Sequence, residues 1–73
     1  MVEQPEELKK LADIANDLEF VPPLRLKAIE QLGNIGSHDA LLALLDLAAK
    51  EKLTTKEREF ALKQALKIVR SNR

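Results

Sequence analysis

The chain repeats itself with an offset of 33 residues, and this repeat limits the folds that it can adopt. When residues 6–35 are aligned with residues 39–68, eight of the thirty pairs are identical, and the helix breaks align as well. The identical pairs are Leu8/Leu41, Leu11/Leu44, Asp13/Asp46, Ala15/Ala48, Arg25/Arg58, Ala28/Ala61, Gln31/Gln64 and Ile35/Ile68. A period in the thirties with two helices in each unit indicates a stack of paired helices, an α-solenoid.

Start and stop signals divide the chain into four predicted helices. Pro5 and Pro23 suit first helical positions, Ser37 is a candidate N-cap, and Thr54 stands at capping-box spacing from Glu57. No stretch shows a convincing strand pattern. The sequence therefore predicts an all-α fold, with four antiparallel helices joined by short connections into an α-α superhelix. The predicted helices cover about residues 5–19, 23–34, 37–52 and 54–70.

Both glycines lie three residues apart, just ahead of the leucine-rich third helix. Gly33 falls in the last turn of the second helix, where the missing side chain lets a neighbouring helix approach. Gly36 follows that helix, at a point where a left-handed residue commonly ends one. No strand precedes the two glycines, so they do not indicate a phosphate-binding loop.

The third predicted helix contains the run ALLALLDLAA, in which Asp46 is the only polar residue. We expect its neighbours to surround this helix on several sides and Leu44 to lie in the core. The alternative is an apolar strip left open for a partner helix or for a second copy of the chain.

The segment PLRLKAIEQLGNIGSHDALLALLDLA, residues 23–48, carries a family resemblance. It resembles one HEAT-like repeat of the short type found in phycobilisome lyases, whose pattern is roughly R-x-x-A-x-x-x-L-G-x-I-G, a polar turn, then A-L-x-x-L-L. Residues 54–73 resemble half of a second repeat, with Leu66 in place of the first glycine, and residues 5–19 resemble a lone second helix. The resemblance implies one full repeat flanked by two half repeats. It implies a fold and a mode of binding rather than a catalytic activity. The matching residues are Arg25, Ala28, Leu32, Gly33, Ile35, Gly36, Asp39, Ala40, Leu44 and Leu45.

Composition excludes several classes of protein. A chain with 45% hydrophobic and 33% charged residues is too apolar to stay disordered and too charged to be a membrane span. Its longest apolar run, residues 40–45, is far shorter than the roughly 20 residues that cross a bilayer, and the N-terminus lacks a secretory pattern. We therefore predict that residues 1–73 form a single cytoplasmic domain with no membrane contact. Without cysteine, disulfide and thiolate chemistry are excluded.

The sequence offers little for catalysis. The single histidine, His38, lies beside the candidate cap Ser37, where a polar exposed residue is ordinary. Asp13 and Asp46 occupy equivalent repeat positions, and we interpret each as the polar side of its helix rather than as half of a carboxylate pair. No residue spacing matches a metal-binding loop. We predict no catalytic residue, no metal site, no cofactor and no enzymatic activity.

Charge is distributed unevenly although the formal net charge is zero. Residues 1–19 carry six acids and two bases, whereas residues 56–73 carry six bases and two acids. Charges that complement the helix dipoles explain this pattern most simply. Two interpretations of the outer helices stay open: polar caps on a monomer, which we favour, or weak homo-oligomers in which acidic helix one of one copy meets basic helix four of the next.

The basic last helix supplies the candidate partner-binding residues Lys56, Lys63, Lys67 and Arg70. The last three are spaced i, i+4 and i+7 and therefore share a helix face, which is either simply solvated or contacts a protein or phosphates. Zero net charge and the absence of tyrosine and tryptophan argue against nucleic acid. We predict a small adaptor or scaffold that binds another protein. The alternative is a nucleic-acid-associated protein that contacts phosphates through the basic C-terminal helix.

Overall fold

The computed structural model describes residues 5–71, which form four α-helices with no strand in this range. The predicted all-α fold is therefore confirmed. Both ends of the predicted domain, residues 1–4 and 72–73, lie outside the described residues. The helices are α1 (Pro5–Asn16), α2 (Pro22–Ile35), α3 (His38–Ala48) and α4 (Thr55–Ser71).

The starts of α2 and α3 follow local chemistry. Val21 is extended, and Pro22 and Pro23 occupy the first turn of α2, where their missing N–H groups remove no helical hydrogen bond. Ser37 is also extended, and its Oγ accepts a hydrogen bond from the Ala40 N–H at 3.1 Å. This is the N-cap geometry that the sequence predicts for Ser37.

The end of α2 and the start of α4 also match their sequence signals. Gly36 has a left-handed φ of 69°, and its N–H donates to the Leu32 carbonyl oxygen at 3.4 Å. Before α4, Thr54 Oγ1 accepts from the Glu57 N–H at 3.2 Å. Glu57 Oε1 accepts in return from the Thr54 N–H, also at 3.2 Å. The two residues form a reciprocal capping box.

Helix α1 ends at Asn16, three residues before the predicted boundary at residue 19. Asp17 provides the local reason, because its Oδ1 accepts from the Glu19 N–H at 2.9 Å. The Phe20 N–H then donates to the Asp17 carbonyl oxygen at 3.1 Å. These turn hydrogen bonds compete with continuation of the helix, as short polar side chains often do.

Helix α3 ends at Ala48 rather than near residue 52. The Leu53 N–H donates to the Lys50 carbonyl oxygen at 3.3 Å, and this turn places Leu53 in the core with 3% of its surface exposed. Burying a leucine contributes about 1.5 to 3 kcal/mol, whereas one further helical turn built from Lys50 to Lys52 gains only a few tenths of a kcal/mol in residue propensity. Burial of Leu53 therefore decides where α3 ends.

Within residues 5–71, α1 and α4 lie on opposite sides of the folded structure, with α2 and α3 between them. Helices α2 and α3 each contact all the others, whereas α1 and α4 make no contact with each other between residues 5 and 71. The core lies between the helices and is built from small and branched apolar side chains. Its buried members are Ala15, Ala28, Ile29, Leu32, Ala40, Leu44, Leu47, Leu53, Ala61, Ala65 and Ile68.

Helix α3 is covered on one face only, so the expectation that its neighbours surround it is wrong. Ala40, Leu44 and Leu47 are buried at i, i+4 and i+7 spacing, and Leu44 is fully buried as predicted. On the other side of the helix, Leu42 and Leu45 are 52% and 43% exposed. Because every residue of an amphipathic helix points outward from its axis, three neighbours on one side leave the far side in solvent.

A buried ion pair joins α2 to the first turn of α4. Arg25 Nη2 lies 2.7 Å from Glu57 Oε2, and the two side chains are 6% and 2% exposed. Arg25 Nη1 also donates to the carbonyl oxygens of Leu18, at 3.4 Å, and of Phe20. Glu57 thus caps α4 with one carboxylate oxygen and neutralises Arg25 with the other. The same arginine holds the turn between α1 and α2.

Arg58 makes a comparable contact at the end of α3. Its Nε donates to the Ala48 carbonyl oxygen at 3.2 Å. Arg58 is the residue that the 33-residue offset pairs with Arg25. Both arginines therefore bind carbonyl oxygens at or just beyond the C-terminus of the preceding helix, where backbone acceptors lack helical partners and a positive charge is favoured.

Helices α2 and α4 approach each other closely at Gly33. A Cβ atom added there would lie 2.0 Å from Gln64 Oε1 and 3.0 Å from Gln64 Cβ. The Gln64 side chain is buried, and its Oε1 has no hydrogen-bond partner. A side chain at Gly33 would therefore require the Gln64 side chain to move, which agrees with the close helix approach that the sequence predicts there.

The variant Gly33→Ala is expected to lower the free energy of unfolding by up to about 2 kcal/mol. Overpacking costs about 1 to 3 kcal/mol, and the better helix propensity of alanine returns about 1 kcal/mol. In the double variant Gly33→Ala/Gln64→Ala, the new methyl group occupies the space that the Gln64 side chain has left. The double variant should therefore be at least as stable as Gln64→Ala alone. Urea denaturation measures all three. A Gly33→Ala protein clearly more stable than wild type would contradict the close approach.

Candidate protein-binding groove

A groove lies between the N-terminal halves of α2 and α4, with Leu26 and Phe60 as its floor. Both side chains are half-buried and pack against the core from outside. They line two adjoining depressions of about 320 and 330 Å³. The remaining lining residues are Lys56, Glu59 and Lys63 from α4, and Pro23, Lys27 and Glu30 from α2.

A third depression of about 340 Å³ continues the groove along α4. It is lined by Lys63, Gln64, Lys67, Arg70 and Ser71, and Lys63 also borders the apolar floor. The structure thus brings together all four residues that the sequence singles out for partner binding. Lys56 and Lys63 border the apolar floor, whereas Lys67 and Arg70 extend the basic side away from it.

The groove carries more positive than negative charge. Its rim has five cations and two carboxylates, and all seven side chains are exposed. Between residues 5 and 71, ion pairs join Arg25 to Glu57 and Lys50 to Asp46, and neither pair includes a groove cation. The rim cations are Lys27, Lys56, Lys63, Lys67 and Arg70, and the carboxylates are Glu30 and Glu59.

One rim contact links the two walls of the groove. Lys67 Nζ donates to Asn34 Oδ1 at 3.2 Å, and both residues are exposed. An exposed hydrogen bond of this kind contributes little to stability. It positions the Lys67 ammonium over the α2–α4 boundary without neutralising its charge, so that charge stays available to an acidic ligand.

The apolar floor is the part of the groove that reasoning from sequence missed. Phe60 lies four residues after Lys56 and three before Lys63, so these residues share one face of α4. That spacing could have revealed the aromatic residue among the bases. Leu26 carries no such signal, because only the packing of α2 on α4 places it beside Phe60.

The structure places the remaining candidate residues outside the groove. His38 is exposed at the start of α3, and within residues 5–71 no group of three or more His, Cys, Asp or Glu side chains is arranged to hold a metal ion. Asp46 pairs with Lys50 at 3.5 Å on the surface of α3. Gly33, Gly36, Ser37, Thr54 and Leu44 have the packing and capping positions described above.

Comparison with known proteins leaves the groove as the main guide to function. No protein-family model, curated protein or solved structure matches this chain significantly. In the part of the chain that the structure describes, no helix combines the length and the apolar character needed to cross a membrane. The chemistry of the chain's own surface is therefore the remaining indication of its function.

Proposed function

We propose that this chain is a small, non-enzymatic HEAT-like repeat protein that acts as an adaptor by binding a segment of another protein in the α2–α4 groove. The observation that supports it is the half-buried Leu26–Phe60 floor beside an excess of unpaired cations. An apolar floor with a polar rim is the usual anatomy of a protein-binding site.

The repeat assignment within this proposal draws support from matching contacts. Arg25 and Arg58 are paired by the 33-residue offset, and each donates to backbone carbonyl oxygen at or after the end of the preceding helix, Arg25 to Leu18 and Phe20 and Arg58 to Ala48. The acceptors do not correspond in the offset, but similar roles for paired residues are consistent with an internal repeat. A fold of this type does not fix a function, so the groove rather than the repeat carries the functional argument.

The chemistry of the groove defines the ligand. Leu26 and Phe60 offer apolar surface to one or two large apolar side chains, and burial contributes roughly 25 cal/mol for each Å² removed from water. The surrounding lysines favour aspartate or glutamate beside those side chains and exclude basic segments. The expected ligand is an acidic segment with an apolar anchor.

Selection from a displayed random-peptide library tests this function. We expect enriched peptides to carry leucine or an aromatic residue next to acidic residues. The variant Lys63→Glu/Lys67→Glu should bind these peptides at least about fourfold more weakly, because two exposed attractions of roughly 0.2 to 1 kcal/mol each become repulsions of similar size. Fluorescence anisotropy with one selected peptide measures the change.

The matched control is Lys9→Glu/Lys10→Glu, which makes the same charge change on exposed positions of α1, a helix that does not contact α4. This control should bind the peptide as wild type does. Equal weakening by both variants would show a general charge effect and contradict the groove. If no peptide is enriched, and labelled DNA binds at low salt in a manner lost in Lys63→Glu/Lys67→Glu, the basic face contacts phosphates instead.

A further inference from the structure

Both ends of the described structure expose apolar side chains beside the polar outer faces that were expected for α1 and α4. On α4, Leu62, Leu66 and Val69 are 45%, 44% and 49% exposed. Their i, i+4 and i+7 spacing places them on one face, away from the lysines that line the groove. On α2, Leu24 and Ile35 are 48% and 36% exposed, and eleven residues, three helical turns, separate them.

The 33-residue offset shows that the α4 face corresponds to a covered face of α2. Leu62 and Leu66 are equivalent to Ile29 and Gly33, which are both buried. In α2 this face contacts α4, as the closeness of Gly33 to Gln64 shows. The apolar character of Leu62 and Leu66 is therefore that of a helix–helix contact surface rather than of a solvated cap.

The exposed face of α2 corresponds, at the same offset, to a buried face of α4. Leu24 and Ile35 are equivalent to Glu57 and Ile68, which are 1% and 2% exposed in α4. In α4 these positions face the rest of the molecule, whereas in α2 they face solvent. The α4 end thus exposes the kind of surface that α2 presents to α4, and the α1–α2 end exposes the kind of surface that α4 presents to α2.

Charge favours one orientation of two copies through long-range attraction, because most of the α4 cations line the groove rather than the Leu62–Val69 face. Residues 6–19 carry five acids and two lysines, whereas residues 56–71 carry five bases and two acids. One of those two acids, Glu57, is already neutralised by Arg25. Contact between two α4 helices would bring like charges together, whereas contact between α4 and the α1–α2 end brings opposite charges together.

We infer that the partner of the α4 face is a second copy of this chain, stacked head to tail. Leu62, Leu66 and Val69 of one copy cover the α1–α2 end of the next, including Leu24 and Ile35. Such a contact is heterologous, so it extends into chains of copies rather than closing as a symmetric dimer. It goes beyond the proposed function, because it uses a different face of α4 from the groove.

Leu66 keeps the helices of two stacked copies further apart than α2 and α4 are within one copy. At the equivalent position, Gly33 admits Gln64 so closely that a Cβ atom would lie 2.0 Å from its Oε1. A leucine there holds the neighbouring helix further away. The interface between copies is therefore looser than the internal one, and the association is reversible and dependent on concentration.

Sedimentation velocity across a concentration and salt series tests the inference. At about 10 mM salt, where charges interact over roughly 30 Å, the weight-average mass should rise with protein concentration beyond twice the monomer mass of 8.2 kDa. Raising the salt to about 1 M, where that distance falls to roughly 3 Å, should weaken the association. A mass that stays at 8.2 kDa up to about millimolar protein at low salt overturns the inference.

Two blocked variants test the head-to-tail geometry. Leu66→Gln blocks the α4 face and Leu24→Gln blocks the α2 face; both positions are exposed, and circular dichroism checks that both variants stay folded. Each alone should remain monomeric, but an equimolar mixture should form a dimer that grows no further, since each variant retains one intact end. A Leu24→Gln protein that dimerises by itself while the mixture gains nothing would show a symmetric α4 contact instead.

The control Leu42→Gln makes the same change at an exposed leucine on the outer side of α3. It should associate as wild type does, and equal loss in this variant would overturn the assignment to α4. Leu66→Gln should still bind the selected acidic peptide. Failure of stacking with peptide binding retained would therefore refute this inference alone, whereas loss of peptide selection with stacking retained would refute the groove alone.

Discussion

Replacing Glu57 with leucine is expected to lower the free energy of unfolding by about 3 to 5 kcal/mol. The change leaves the Arg25 guanidinium buried without its carboxylate, and breaking a buried ion pair by removing one partner typically costs this much. The whole domain has only roughly 4 to 11 kcal/mol of stability at this length. Urea denaturation in the presence of a stabilising osmolyte keeps enough of the variant folded for the measurement.

Two further variants separate the ion pair from the capping box. Thr54→Ala removes the Thr54 hydroxyl that caps α4 but keeps the ion pair, and it should cost about 1 kcal/mol. Arg25→Met/Glu57→Leu buries no charge and should recover much of the loss, because apolar replacements of a buried pair are often neutral. A Glu57→Leu protein no less stable than Thr54→Ala would contradict a structural role for the pair.

Replacing Leu44 with alanine is expected to cost about 2 to 5 kcal/mol. Leu44 is fully buried on the core face of α3, so the change removes buried apolar surface and leaves a cavity among its neighbours. The next residue supplies a matched control, because Leu45 on the same helix is 43% exposed. Leu45→Ala should change stability by no more than about 0.5 kcal/mol.

Thermal and urea melting of the two leucine variants compares core and surface directly. The large effect should belong to Leu44→Ala alone, because only that position lies against the rest of the molecule. An unchanged melting curve for Leu44→Ala would show that α3 packs with a different face. Equal loss in both variants would show that Leu45 is also covered, either within the domain or by another molecule.

Much of the fold could be predicted from sequence because its signals are local. Ser37, Gly36 and the pair Thr54 and Glu57 act on backbone groups within a few residues, so their motifs place helix ends with little dependence on context. The ends of α1 and α3 could not be predicted as well. Local turn bonds end α1, and the burial of Leu53 by distant helices ends α3.

The candidate site was predictable in its charges but not in its shape. Lys63, Lys67 and Arg70 share a helix face by spacing alone, and the structure places them along one groove. Which apolar residues face outward depends on the number of neighbouring helices. Leu62 and Leu42 have ordinary core character in sequence, yet both are about half exposed, because nothing in the described structure packs over them.

The pairing of Arg25 with Glu57 was also invisible in the sequence, since 32 residues separate them. Each residue takes part in a local motif that explains it without the other. Only the docking of α4 on α2 brings the guanidinium and the carboxylate within 2.7 Å. Long-range polar contacts of this kind are the part of a helical fold that periodicity does not encode.

The Arg25–Glu57 contact has a consequence for how the molecule unfolds. The outer helices of a small helical protein tend to open first, because they have fewer neighbours than the inner ones. Here, fraying of the first turn of α4 would strip the carboxylate from a buried guanidinium that also holds the turn after α1. Opening at one end therefore destabilises the other, and the two ends are expected to unfold as one cooperative unit.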